Sequence, residues 1–443
     1  MSAASDLRHL LQGQDFRTLT STRLLSQLGS GMFEVGLASL FFFDASKPAT
    51  PESVALGFIV LLAPFTIVGP FVGPLIDRWK RQRILMWSTT IRLGLAVILG
   101  CLMVIESPTW ITYIVALLSL SINRFLLAAH TAAIPRVVSE EDLLTANAIL
   151  PTLGTIAAAL GGAIGAVVTF FSPGLPEDLQ ALAALICAAA VLGLSSVITA
   201  RIGRDTLGPL HPLDAMQVRE HFRDLLRGLR EGAAYLRVRV TPFNALLVMS
   251  AQRFLYGLMY VSAILIARNV LSAPGSSQGS LGSFTVVLFF AAGGFALAAF
   301  VTPAVGRRVG RQAWVVWCLV IGATGQIILA ASGARWALFT AAVVVSFSVQ
   351  GAKIAIDTIV QRDTEDEVRG RTFALYDMAY NVAFMTAGIV GAIVLPNTGY
   401  SAPVMAALAV CYLILAFAYS RAPRDARPLP GSGPLHVGAG SPR

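Results

Sequence analysis

The chain has 443 residues, of which 56% are hydrophobic and only 13% are charged. A soluble protein of this length carries about twice that share of charged residues, and a mean hydropathy of +0.71 excludes an ordinary soluble domain. The formal net charge of +9 would suit a nucleic-acid partner in a soluble protein. Here the cations lie in short loops between apolar runs, so we expect no nucleic acid.

Apolar runs of about 20 residues recur along the chain, and each is long enough to cross a bilayer as a helix. They predict an all-α membrane protein with twelve transmembrane helices in two pseudo-symmetric six-helix halves. The predicted spans, numbered 1 to 12, cover residues 19–43, 53–76, 84–105, 109–134, 146–172, 179–202, 243–267, 281–305, 313–332, 335–360, 373–395 and 401–420.

The loops between these spans alternate in charge. The arginine-rich segments are 77–83, 201–239, 307–311, 362–371 and 421–427, whereas intervening loops such as "ESPT" have no cation. Cationic loops of membrane proteins face the cytoplasm. We therefore expect a multi-pass protein of the inner (cytoplasmic) membrane with both termini in the cytoplasm.

The two halves repeat at an offset of 226 residues, which aligns Gly31 with Gly257 and Gly165 with Gly391. The repeat predicts two halves of parallel topology, a pattern typical of transporters. We expect a cytoplasmic N-terminus at 1–18, an N-terminal half at 19–203, a linker at 204–240, a C-terminal half at 241–420 and a cytoplasmic tail at 421–443.

The linker predicts an amphipathic helix, because four apolar residues share one helical face among several arginines. These apolar residues are Phe222, Leu225, Leu226 and Leu229. We expect the helix to lie at the lipid surface and to tether the halves. The four cysteines have no metal-binding spacing, so we expect no metal and no cofactor.

The loop between spans 2 and 3, "GPLIDRWKRQR", carries a recognisable pattern. It resembles the signature loop of the major facilitator superfamily, Gly-x-Leu-x-Asp-Arg-x-Gly-Arg. The matching residues are Gly73, Leu75, Asp77, Arg78 and Arg81, whereas Lys80 replaces the second glycine. The segments "AAIPRVV…DLLTANAI" and "DTIVQRDTEDEVRGRTFAL" look like the bacterial exporter branch with enterobactin exporters and macrolide efflux pumps.

The resemblance implies a transporter in which the halves rock around a central cavity, and a gate at the cytoplasmic ends. Asp77 is then expected to meet the positive N-terminal end of span 11, beside Arg371. Alternatively, the loop charges only set the topology. In the second half Arg307 stands where Asp77 stands in the first, so an inverted contact with Glu140, Glu141 or Asp142 is expected. The gating candidates are Gly73, Asp77, Arg78, Arg81, Arg307 and Arg371.

Ionisable side chains inside the spans concentrate in spans 1, 4, 7 and 10, the helices that line the cavity in the resembled fold. Such groups are costly in a bilayer and are candidates for function. Arg92 and Asp377 are exceptions and are expected nearer the cytoplasmic edge. The proposed cavity residues are Gln27, Asn123, Arg124, Arg253, Tyr256, Gln350 and Lys353.

Glu34 is the only predicted acid near the membrane midplane, and low dielectric disfavours its charged form. It is the first candidate for reversible protonation, with Asp357 second; the alternative is a permanently paired structural glutamate. Lys353 and Asp357 are four residues apart on one helix, so they can pair either structurally or in gating. His130 is expected to be a satisfied polar group rather than a proton relay.

These features favour a secondary transporter that exports a small organic molecule, a drug or siderophore, by proton antiport. Its cations outnumber its acids, so an anionic, zwitterionic or neutral amphipathic substrate fits best. No phosphate-binding loop is present, and we expect neither ATP-driven transport nor an enzyme. The alternatives are a lipid or lysolipid flipping facilitator and a non-transporting receptor or scaffold. We expect a monomer whose other partners are protons and membrane lipid.

Overall fold

The computed structural model describes residues 9–43, 50–64, 72–76, 78–105, 108–140, 142–170, 177–208, 215–273 and 276–423. These ranges are built from α-helices, with one short 3-10 segment at Ile134–Arg136. The helices are α1 (Gln14–Phe42), α2 (Pro51–Ala63), α3 (Val72–Ile76), α4 (Arg81–Val104), α5 (Thr109–Ala133), α6 (Leu143–Phe170), α7 (Glu177–Ala200), α8 (Ala215–Val238), α9 (Val240–Asn269), α10 (Ser277–Val309), α11 (Arg311–Ala331), α12 (Arg335–Asp363), α13 (Asp366–Val394) and α14 (Ala402–Arg421).

Within the described residues, eleven helices are long and apolar enough to cross a membrane. The predicted span 2 is represented by the shorter apolar helix α2 and by α3, and residues 65–71 between them lie outside the described residues. Helix α2 begins where the sequence places a cap: the Thr50 side chain accepts a hydrogen bond from the Ser53 N–H, and Pro51 follows the cap. The all-α, multi-pass architecture is confirmed.

The internal repeat is visible in the packing of each half. Helix α1 packs on α6, and α9 packs on α13 in the same manner. A Cβ atom on Gly165 would lie 3.4 Å from Val35, and one on Gly391 would lie 3.3 Å from Val261. The aligned glycines therefore face aligned valines at the same offset of 226 residues.

Helices α1 and α6 approach each other at the level of their backbones. A Cβ atom on Gly31 would collide with the carbonyl oxygen of Ala158, and one on Gly161 would collide with that of Leu28. Only glycine permits this contact, so the backbones of α1 and α6 pack directly against each other within the N-terminal half.

The two ends of the bundle differ in how the halves meet. We call the end that carries α8 and the arginine-rich loops the linker side, and the opposite end the distal side. On the distal side, Arg268 Nη1 of α9 donates a hydrogen bond to the Phe42 carbonyl of α1 at 2.8 Å. The Phe43 ring lies 5.4 Å from the Phe284 ring of α10. These contacts close the distal side.

Behind that contact lies a distal aromatic layer, which joins α2 to α9, α10 and α13. Its members are Phe58, Tyr256, Tyr260, Phe284 and Phe384, with ring centroids 5.1 to 6.1 Å apart in the packed pairs. The layer belongs to both halves, because Phe58 lies on α2 and the other four rings lie on C-terminal helices.

Candidate functional site

Charged side chains from both halves gather on the linker-side face of the distal aromatic layer. We call this group the central charge cluster. Its members are Glu34 on α1, Arg92 on α4, Arg124 on α5, Arg253 on α9, Lys353 and Asp357 on α12, and Asp377 on α13. The sequence assigned five of these residues to one cavity and placed Arg92 and Asp377 elsewhere.

Glu34 lies in an interior space that water can enter. Its side chain is exposed, yet protein atoms surround it on all sides. Arg92 and Arg124 are close enough to attract its carboxylate electrostatically. On the distal side of this space, the two halves are in contact.

Arg92 is fully buried within the N-terminal half. Its Nη1 donates to Ser30 Oγ and to Asn123 Oδ1, each at 2.9 Å, and its guanidinium lies 5.9 Å from the Phe33 ring. The expectation that Arg92 lies near the cytoplasmic edge is wrong, because it stands midway along α4. Asn123 also differs from the expectation of a cavity residue: it is buried and oriented by Arg92.

One arginine connects the halves electrostatically. Arg124 interacts with Glu34 of its own half and with Asp377 of the other half. Asp377 in turn interacts with Lys353, Asp357 and Arg124. Asp377 is exposed on α13.

The predicted pair of Lys353 and Asp357 is present in the C-terminal half, with Nζ and Oδ2 2.7 Å apart. The Tyr376 hydroxyl donates to the other carboxylate oxygen of Asp357, also at 2.7 Å. About 32% of the Lys353 side chain and 28% of the Asp357 side chain are exposed. Both carboxylate oxygens are thus engaged, which makes Asp357 a less available proton carrier than Glu34.

Arg253 is surrounded by aromatic rings. Its guanidinium carbon lies 3.7 Å from the Phe384 centroid, 4.3 Å from that of Tyr380 and 5.5 Å from that of Tyr256. The face of an aromatic ring stabilises a cation but leaves its charge uncancelled. Tyr256 was predicted to line the cavity, but it is buried and stacks on Phe384. It therefore packs against a ring that contacts Arg253 and does not itself line an open space.

The remaining cavity candidates are both polar and uncharged. Gln27 is buried on α1, and its Nε2 has no hydrogen-bond partner. Gln350 is half-buried on α12, one turn before Lys353. The central charge cluster thus contains four cations and three acids, with a formal balance of +1.

Arg81 and Lys80 of the signature loop contact the N-terminal half and the first residues of the linker. Arg81 Nη1 donates to the carbonyls of Ala132 at 2.8 Å and Leu207 at 3.3 Å. Lys80 and Asp205 form an ion pair of 2.6 Å, and this contact lowers the pKa of the Asp205 carboxyl. Arg81 therefore holds the first residues of the linker against the N-terminal half.

Of the other gating candidates, the structure describes Gly73, Arg78, Arg307 and Arg371. Gly73 lies in α3, and Arg78 is exposed with its guanidinium 5.6 Å from the Trp79 ring. Asp77 and Glu141 lie outside the described residues. Arg307 is exposed at the end of α10.

Asp142, expected to meet Arg307, has different partners in this conformation. Its carboxylate accepts a hydrogen bond from Ser139 Oγ at 2.8 Å and lies 3.5 Å from His9 Nε2. The expected inverted gate contact through Asp142 is therefore not formed in this state.

Helix α8 occupies the position at which the sequence analysis expected the gate. Arg371 pairs with Glu231 of α8, and Arg239 pairs with Glu365 at 2.9 Å. The Tyr235 hydroxyl accepts from the Glu365 N–H at 3.3 Å. Helix α8 also packs against α3, so it touches both sides of the expected latch.

Comparisons with known proteins agree with this architecture. Residues 243–440 match the family model described as Major Facilitator Superfamily. An uncharacterized MFS-type transporter of Mycobacterium tuberculosis is 30% identical over 393 residues, covering 87% of this chain and 86% of the relative. Macrolide efflux protein A of Streptococcus pyogenes is 23% identical over 244 residues, covering 54% of this chain and 56% of the relative.

Solved transporter structures share the fold. A mutant peptide transporter of the POT type superposes with a TM-score of 0.68 at 10% identity, covering 90% of this chain and 93% of the other. A nucleoside transporter superposes with a TM-score of 0.63 at 14% identity, covering 91% and 97%. At these identities the likeness concerns the fold alone.

Proposed function

Because the chain belongs to the Major Facilitator Superfamily, we propose that it exports a small zwitterionic amphipathic molecule across the cytoplasmic membrane in exchange for protons. The central charge cluster carries this proposal. Side chains from both halves meet there in a water-accessible space closed on the distal side. Rocking of the halves would move that space from one side of the membrane to the other.

The direction follows from the loop charges and the conformation. The linker side carries the arginine-rich loops, so we assign it to the cytoplasm. With the distal contacts formed, access to the cluster would be from the cytoplasm, the state in which an exporter loads its substrate. The similarity to macrolide efflux proteins of two bacterial genera supports export.

The substrate class follows from the charges and rings. A formal balance of +1 favours a ligand with an acid group, and the three rings around Arg253 leave its charge uncancelled. The rings around Arg253 offer apolar contact to the body of an amphipathic molecule. An acid group next to an apolar body would use both features.

Antiport adds a requirement for a cationic group. An ionised Glu34 neutralises Arg124, so a purely anionic substrate would bind best when Glu34 is protonated. The proton and the substrate would then be bound at the same time, which gives symport and not antiport. A substrate amine that pairs with ionised Glu34 instead displaces its proton. That mutual exclusion is the condition for exchange, and it favours a zwitterion.

We infer that the gate contact of the resembled family forms only in the distal-open state. Asp77 would then meet the start of α13, where α8 now pairs with Arg371 and Glu365. Arg307 and Glu140 would approach each other at the matching position. The latch thus requires α8 to move away from α13.

The test is transport by protein in proteoliposomes. A thermal-shift panel of a macrolide, a zwitterionic amphipathic drug, a catecholate siderophore and a lysophospholipid identifies a ligand, because binding to the native state alone stabilises it. Transport of that ligand is then measured with and without an imposed pH gradient. Glu34→Gln keeps the shape of the side chain but removes its titratable carboxyl group.

We expect Glu34→Gln to bind and exchange the ligand but to lose accumulation driven by the gradient. Glu220→Gln, an exposed change on α8 with the same loss of charge, should behave like the parent. Gradient-driven accumulation by Glu34→Gln at the parental level would refute the coupling role and make Asp357 the next candidate. Stabilisation by the lysophospholipid alone would favour the flipping alternative.

A further inference from the structure

A second group of polar side chains lies on α1, nearer the linker side than the central charge cluster. Arg23 is buried, with 7% of the residue exposed. Its Nε and Nη1 are buried and have no hydrogen-bond partner. Among the ion pairs of the described residues, none includes Arg23. A buried charge is normally paired, so this arginine lacks its counter-ion.

The neighbours of Arg23 are also without partners. Gln27 lies one turn further along α1, and its Nε2 is buried and unpartnered. His130 on α5 is fully buried, both of its ring nitrogens are unpartnered, and it is close enough to Arg23 to interact electrostatically. The side chains of Arg23 and Gln27 pack against Gly154 of α6. A Cβ atom on Gly154 would lie 2.8 Å from Arg23 Nε and 3.5 Å from Gln27 Cγ.

The group lies on the same face of α1 as Glu34. At about 100° per residue, Arg23, Gln27 and Glu34 fall within roughly 20° of one line along α1. Glu34 is exposed on this face, whereas Arg23 and Gln27 are buried on it. Gln27 is about 10 Å and Arg23 about 16 Å closer to the linker side than Glu34.

The unpartnered atoms are almost all donors. Arg23 and the Gln27 amide nitrogen can only donate, and a neutral histidine donates from one ring nitrogen. Such a set needs an acceptor, and one guanidinium balances one negative charge. We propose that Arg23, Gln27 and His130 form a binding subsite for the carboxylate of the transported substrate, occupied before the molecule reaches the central charge cluster.

A monoanionic carboxylate fits this subsite better than a phosphate dianion. The planar guanidinium matches the two carboxylate oxygens, with Gln27 and His130 as neutral additional donors. A dianion would retain an uncompensated charge in a buried place. The assignment rests on the proposed transport function, because it names the acid group of that substrate.

The test is anion binding by the purified full-length protein in nanodiscs of zwitterionic lipid. Sodium benzoate is titrated against thermal unfolding at constant ionic strength, with sodium chloride and sodium phosphate in parallel. We expect benzoate to stabilise the parent more than the other two salts do. Arg23→Gln should weaken benzoate binding at least tenfold, and Arg23→Lys less, because the ammonium keeps the charge but not the planar fork.

Arg308→Gln serves as the matched control, since it removes the same charge from an exposed position on α10, and it should bind benzoate like the parent. Gln27→Leu is the second variant and should weaken binding severalfold even if Arg23→Gln does not fold. Equal benzoate stabilisation of the parent, Arg23→Gln and Gln27→Leu would overturn the subsite.

Two further outcomes also contradict the proposal. Phosphate protection equal to that of benzoate would overturn the choice of a monoanion. Stabilisation by phosphatidylglycerol nanodiscs that Arg23→Gln abolishes would assign the subsite to a lipid headgroup. Binding is measured without transport, so a protein that binds benzoate through Arg23 but transports nothing would refute the proposed function and leave the subsite standing.

Discussion

Arg268 offers a direct way to test whether the distal contacts hold the protein in its present conformation. The hydrogen bond from Arg268 to the Phe42 carbonyl joins α9 of one half to α1 of the other at 2.8 Å. This bond must break when the distal side opens. Arg268→Gln therefore should destabilise the distal-closed state relative to the distal-open state.

The size of the effect follows from the charge on the donor. A hydrogen bond to a charged group contributes about 1.5 to 3 kcal/mol. Its loss would shift the conformational ratio by about 10- to 150-fold, so a distal-open population of about 1% would rise to about 10–60%. Gln350→Cys, at a half-buried position on α12 that is a predicted cavity residue, would report that population through its reaction with a membrane-impermeant thiol reagent added on the distal side.

The reporter is placed in a background without exposed native thiols, which requires replacement of Cys101 and Cys411. Arg335→Gln is the matched control, because the Arg335 guanidinium donates to the Leu271 carbonyl at 3.4 Å within the C-terminal half. We expect at least tenfold faster labelling with Arg268→Gln and no change with Arg335→Gln. Equal labelling in the two variants would show that the Arg268 bond does not hold the distal side closed.

Three further outcomes are expected. Gly31→Ala should destabilise the protein in thermal unfolding by about 1–3 kcal/mol through overpacking, whereas Gly94→Ala, where a Cβ meets no atom within 4 Å, should be neutral or stabilising; equal effects would contradict the close α1–α6 contact. A cysteine at Asn397 should react with an impermeant reagent outside intact cells and one at Arg83 should not, and the reverse pattern would invert the assigned topology. Glu231→Lys should raise the protease sensitivity of the linker by separating α8 from α13, with a cost of about 1 kcal/mol or less because the pair is half-exposed; unchanged cleavage would show that packing alone holds α8.

Hydropathy and loop charge were sufficient to predict the helical multi-pass fold, because a bilayer leaves few alternatives for an apolar run of 20 residues. The glycine offset predicted the repeat of the two halves, and Gly165 and Gly391 face residues separated by the same 226 positions. Depth within a helix was harder to predict. Arg92 appeared close to the loop only because the start of α4 was uncertain by one turn.

The central site could be predicted only in part. Charges in cavity-lining helices were recognisable as costly, but the partner of each charge depends on packing between segments distant in sequence. The aromatic residues of α13 were missed, although Tyr376, Tyr380 and Phe384 recur every four residues and therefore share one helical face. Arg23 was missed because its position near the start of a span resembles an ordinary interfacial arginine.

The arrangement around Arg124 shows how one proton could be tied to rocking of the halves. Arg124 and Glu34 belong to the same half, so their attraction persists in both conformations. Asp377 belongs to the other half, so its distance from Arg124 changes when the halves rock. In the conformation in which Asp377 is near Arg124, its negative charge offsets part of the positive charge of Arg124, so the carboxylate of Glu34 is less stabilised. In the conformation in which Asp377 is distant, Arg124 stabilises the carboxylate of Glu34 alone. The affinity of Glu34 for a proton thus depends on conformation through an acid on the opposite half.

Asp377→Asn should remove that dependence while leaving the Lys353–Asp357 pair in place. Proton-driven transport should therefore fall in this variant although ligand exchange continues, and full gradient-driven transport by Asp377→Asn would show that Arg124 does not couple the two events.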